Sequence, residues 1–112
     1  MAILTHTASR IKVWRDSNLD LNPQAIDPTG PTNPVTGDFL GYLTKRILIR
    51  AGHNQQGYVR VWDKAHSPGM YYELASGQEV VLRIDSSLLV DLSGSAANQE
   101  VFVIMELQVG AS

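Results

Sequence analysis

Hydrophobic and polar residues alternate along most of the second half of the chain, and a period of two marks a strand with one buried face. From Leu43 to Ala51, Ile47 and Ile49 fall on one side and Leu48 and Arg50 on the other. Tyr58 to Asp63 repeats the pattern, with Val59 and Val61 opposing Tyr58, Arg60 and Trp62. Tyr71 to Ile84 gives the clearest two-strand signal: Tyr72 and Leu74 share a face, Ala75-Ser76-Gly77-Gln78 interrupts, and Val80, Leu82 and Ile84 resume. The stretch reads as a β-hairpin in which Gly77 supplies a positive φ without a Cβ clash. Pro68-Gly69 just upstream supplies another sharp turn. Leu88 to Leu92 and Glu100 to Val109 complete the series, with a turn at Gly94-Ser95-Ala96-Ala97-Asn98. Nearer the start, Ile3 to Thr7 and Arg10 to Arg15 are also strand-like, the first being a candidate arm. In the second, Ile11 and Val13 face one way and Lys12 and Trp14 the other.

The pattern breaks from Asp16 to Gly41, where Pro23, Pro28, Pro31 and Pro34 fall among Asn, Asp, Thr and Gly. Proline lacks the N–H that a strand ladder needs, so this segment predicts a long loop. It nevertheless carries Leu19, Leu21, Ile26, Val35, Phe39 and Leu40, more apolar residues than a solvated linker holds. The expectation is that it packs against the sheet or a neighbouring subunit. The whole then reads as a single-domain, antiparallel, all-β sandwich of seven to eight short strands. Residues 1–15 form N-terminal strands or an arm, 16–41 the long Pro-rich loop and 42–109 the main strands. There is no internal repeat and no convincing amphipathic helix.

The last strand bears on partners. Val101, Val103, Met105, Leu107 and Val109 form an inward face, yet Phe102 and Ile104 sit opposite, where a solvent-facing strand is polar. Leu48, Val81 and Leu89 are similarly apolar on the nominal outer side of other strands. Each such side chain gains roughly 1.5–3 kcal/mol on full burial, so a wet cluster of them is adhesive. Either the Asp16–Gly41 loop, through Phe39 and Leu40, covers them, or another subunit does. These seven residues are the candidate interface. In the Tyr71–Ile84 stretch, Val81 joins Glu73, Glu79 and Arg83 on the outer side and makes that face mixed.

Composition narrows the classes. The 112 residues fit one domain, and a formal charge of −2, with only Lys45, Arg46 and Arg50 clustered, gives no nucleic-acid footprint. No stretch approaches the ~20 apolar residues of a membrane helix. The absence of cysteine excludes disulfides, thiolate catalysis and Cys-ligated zinc. The first residues carry no basic and apolar leader pattern, so folding in a reducing cytoplasm is expected.

Few residues suggest chemistry. Asp16, Asn18, Asp20 and Asn22 alternate, with Asp27 in the twelfth place, but Leu21 stands where a calcium loop requires glycine. Asx turns account for this spacing better. His6, His53 and His66 are scattered, Ser67 precedes Pro68 in an evident turn, and Asp85 and Asp91 bracket a strand without a sign of shared burial. No phosphate loop or dinucleotide fingerprint occurs. The expectation is a protein that is not an enzyme and has no cofactor or metal. Trp14 and Trp62, both assigned to faces opposite the core, with Tyr58, Tyr71 and Tyr72, form a candidate platform for stacking sugar rings.

Three segments carry a resemblance: Val59-Arg60-Val61-Trp62; Pro68-Gly69-Met70-Tyr71-Tyr72-Glu73-Leu74-Ala75-Ser76-Gly77-Gln78-Glu79-Val80-Val81-Leu82; and Leu88-Leu89-Val90-Asp91-Leu92-Ser93-Gly94-Ser95-Ala96. In their order of strands and turns they resemble small all-β virion proteins of tailed bacteriophages, especially capsid cement or decoration proteins. That resemblance implies a jelly-roll-like sandwich, often trimeric, assembled in the host cytoplasm and clamping neighbouring major capsid subunits on the virion. It implies no chemistry, no nucleic acid and no membrane. A carbohydrate-binding or tail- and fibre-associated sandwich is the competing expectation.

Overall fold

The computed structural model describes residues 10–26, 42–53, 55–84 and 86–109. They form eight strands: β1 (Arg10–Leu19), β2 (Gln24–Ala25), β3 (Tyr42–Ala51), β4 (Val59–Asp63), β5 (Tyr71–Leu74), β6 (Glu79–Leu82), β7 (Val90–Gly94) and β8 (Gln99–Val109). A first sheet has the order β1-β8-β3-β6 and a second the order β2-β7-β4-β5, every pairing being antiparallel. The all-β, two-sheet class is therefore the one the alternation predicts.

The pairings nest. β1 pairs with β8, β2 with β7, β3 with β6 and β4 with β5. The strands thus behave as one long hairpin folded over on itself, with β3–β8 and β4–β7 joining its layers into two sheets. This corrects the reading of Tyr71–Ile84 as a hairpin. β5 and β6 lie in different sheets, and Ala75–Gln78 crosses between them. Gly77 does take the positive φ its place demands, +77°, with its N–H bonded back to the carbonyls of Ala51 and Gly52. A turn signal between two alternating strands fixes that the chain turns, and leaves open whether the strands then pair. The local hairpin is instead β4–β5, whose loop closes through Met70 N–H donating to Ser67 C=O with Gly69 at φ +75°.

Leu19, Ile47, Ile49, Val59, Leu74, Leu92, Val101, Val103, Met105 and Leu107 fill the space between the sheets, nearly all fully buried. β1 continues past Arg15, and a register shift between Asp16 and Leu19 turns Leu19 into this core. Ile26 follows it in, whereas Leu21 remains 62% exposed. The predicted loop therefore begins as structured chain. Pro23 is compatible with this because it precedes the two-residue β2 and sits at the sheet margin. Asp16 Oδ1 accepts from Asn18 N–H at 2.7 Å and Asp20 Oδ1 from Asn22 N–H at 2.8 Å, the Asx turns expected of that spacing. Phe39 and Leu40, along with Ile3–Thr7, Asp27 and Asp85, lie outside the described residues.

Candidate functional site

The outer face of the first sheet is built from register. Leu48 of β3 lies opposite Val81 of β6 and Ile104 of β8, and Ile104 in turn lies opposite Val13 of β1. One apolar row, Val13–Ile104–Leu48–Val81, therefore crosses all four strands. Val13, Ile104 and Val81 are exposed to 60%, 37% and 47%. Leu48, Val81 and Ile104, with Arg46 and Glu106, line an open groove of about 330 Å³.

Charged rows border this stripe. On one side, Arg46 donates to Glu106 through two bonds of 2.6 and 2.9 Å, next to exposed Ile11. The hydrogen bond to Glu106 and that carboxylate's charge raise the Arg46 pKa above its ordinary value. On the other side, Arg15 is paired with Glu100 and set over the Phe102 ring at 5.5 Å, and Arg50 bonds Glu79 at 2.7 Å. Cross-strand opposite charges this close to solvent steady the sheet only slightly. They also surround the apolar row with a balanced set of charges.

Of the predicted interface, Leu48, Val81, Phe102 and Ile104 come together on this face. Leu89 does not. Ser87–Leu89 form a 3-10 turn leading into β7, so Leu89, 50% exposed, belongs to the margin of the second sheet. Ser86 caps this turn by accepting from Leu88 N–H, which ends the alternation inferred for Leu88–Leu92. Val13 and Ile11 join the face instead. Sequence alternation revealed the period of β1 but placed its faces the wrong way round, because apolar residues occur on both.

The same reversal removes Trp14 from the sugar platform. It lies opposite Val103 and packs against the core. Trp62 does point outward, on the second sheet, but its surroundings occupy it. Its Nε1–H donates to Ser93 Oγ at 2.7 Å, Tyr71 lies against its ring at a centroid distance of 4.7 Å, and His66 meets it edge-on at 5.9 Å. The two tryptophans therefore share neither a sheet nor an orientation.

Sequence reasoning missed the polar cluster beside Trp62. Asp91, 3% exposed, accepts from Lys64 Nζ at 3.1 Å and from His66 Nε2 at 2.5 Å, and Ser93 is fully buried. Lys64 and His66 stand in the β4–β5 loop, 27 and 25 positions away from Asp91, so spacing could not join them. His66 holds an αL conformation, φ +53°, that the loop imposes. The available signal was polar residues at alternate positions inside the otherwise apolar Val90-Asp91-Leu92-Ser93. Arg60 completes the face, bonded to Glu73 at 3.1 Å and lying 4.5 Å over the Tyr71 ring. No three His, Asp or Glu residues converge as a metal site among the described residues. No protein-family model, curated protein or solved structure matches the chain.

Proposed function

We propose that this chain is a non-enzymatic structural protein of a bacteriophage particle, one that associates with itself and stabilises the shell by bridging coat subunits. The observation that carries the reading is the apolar row Val13–Ile104–Leu48–Val81 laid across the outside of a complete sheet. The outward face of an antiparallel sheet is normally polar, and an exposed apolar band bordered by charge is the usual anatomy of a contact surface. The nested pairing supports the jelly-roll form of the sandwich, an architecture that viral capsid domains use and that lectins use too. Fold alone does not choose between these. The choice rests on the faces: the second sheet spends its tryptophan and its buried carboxylate on internal bonds, while the first leaves its apolar row open.

The mechanism is mass action, since a protein that binds only the assembled shell stabilises it by the binding free energy. Co-sedimentation with expanded empty phage capsids tests this, together with the capsid melting temperature. Saturable binding and a raised melting temperature are expected, and both vanish with Ile104→Glu. A folded protein that ignores capsids but changes its tryptophan fluorescence on a glycan panel replaces this reading with a carbohydrate-binding one.

A further inference from the structure

The outward charges carried by the first sheet alternate in sign from strand to strand. β1 presents Arg15, β8 presents Glu100 and Glu106, β3 presents Arg46 and Arg50, and β6 presents Glu79. Across the sheet in spatial order, the signs run plus, minus, plus, minus. Reversing that order exchanges plus for minus at every strand. We infer that this face docks onto the same face of a second copy, about a two-fold axis running close to the strand direction between β8 and β3. The inference rests on the self-association proposed above and specifies its geometry.

Such an axis keeps height along the strands and inverts their order. β8 then lies over β3 of the second copy, and β1 over β6. The apolar row meets itself, Ile104 against Leu48 and Val13 against Val81. Each flanking row meets its complement: Glu106 against Arg46, Phe102 against Arg50, and Arg15 against Glu79. An axis perpendicular to the strands through the apolar row does the opposite, setting β3 on β3 with Arg46 against Arg50 and leaving Glu106 against Phe102. A two-fold contact must be complementary to itself, and only the first axis makes this one so. Stacked sheets turn by about 30° against each other, a rotation that leaves the central Ile104–Leu48 contacts in place and that long Arg and Glu side chains absorb at the corners. Lys45, in the irregularity between Thr44 and Arg46, and Arg83, past the end of β6, stand outside the pattern.

Arg15 and Glu79 provide the test, because they lie on opposite edge strands of the sheet and have different partners, Glu100 and Arg50, within one chain. Arg15→Glu and Glu79→Arg are prepared separately, circular dichroism checks that each folds, and light scattering reads the mass. Each variant alone sets like charges together twice and weakens association at least about tenfold. Mixing the two restores it, since a chain with glutamate at both positions then faces a chain with arginine at both. A wild type that associates while both variants behave identically to it overturns the two-fold geometry and leaves self-association standing. Variants that dissociate but are not rescued by mixing also overturn the geometry. A wild type that stays monomeric at every concentration overturns self-association itself.

Discussion

The two outward faces of this sandwich solve the same problem in different ways. On the second sheet, polar groups that point away from the core are drawn under cover and matched: Asp91 holds Lys64 and His66, Ser93 holds the Trp62 indole N–H, and Tyr71 lies against the Trp62 ring. On the first sheet, the corresponding positions are apolar, with Val13, Val81 and Ile104 exposed and paired charges on either side. A face that satisfies its own donors and acceptors has little left to offer a partner. One that leaves an apolar row wet gains free energy when something covers it. The same fold thus carries one face matched by its own side chains and one whose apolar row is exposed.

Substitutions should separate these faces by what they damage. The largest stability loss is expected at Asp91. Asp91→Ala strips Lys64 and His66 of their common acceptor and removes the tie holding the β4–β5 loop, costing about 2 kcal/mol, discounted because both partners reach solvent. Thermal unfolding should show the melting point falling by roughly 8–12 °C, with association unchanged at temperatures where the fold persists. Trp62→Phe comes next at about 1–2 kcal/mol, since it leaves the buried Ser93 hydroxyl without its donor. Denaturant titration checks this.

On the first sheet the order of effects inverts. Ile104→Ser should alter unfolding free energy by less than about 0.5 kcal/mol because the residue is already exposed in the single chain. Its association should weaken tenfold or more, about 1.4 kcal/mol. Arg50→Gln has the smallest overall effect, a stability change of about 0.2–1 kcal/mol for the exposed pair with Glu79. Equal stability losses from Asp91→Ala and Ile104→Ser would erase the distinction between the faces.

The sequence shows why one face was easier to find than the other. Ile47, Ile49, Val59, Val101 and Val103 alternate with outward residues, and a period of two suffices to recognise strands and to set Leu48, Phe102 and Ile104 apart as misplaced apolar groups. Phase is harder where both sides are apolar, as the reversal of Val13 and Trp14 demonstrates. Pairing is harder still: the Gly77 turn separates two well-formed strands that belong to different sheets, because long-range partners, rather than the turn, decide which edge each strand joins. The Asp91 cluster was illegible for the same reason, its three members meeting only after β4 and β7 pair. The alternating charges could have been noticed along β3 and β8 separately, but their antisymmetry exists only in the spatial order of the sheet.

Sedimentation equilibrium of the wild type beside Val81→Glu and Leu89→Glu tests the central claim most directly. Val81 and Leu89 are about equally exposed, 47% and 50%, and differ chiefly in the face they occupy. The open first sheet predicts that the wild type and Leu89→Glu associate alike while Val81→Glu sediments as a monomer. Association lost through Leu89→Glu and retained by Val81→Glu would place the contact elsewhere on the molecule.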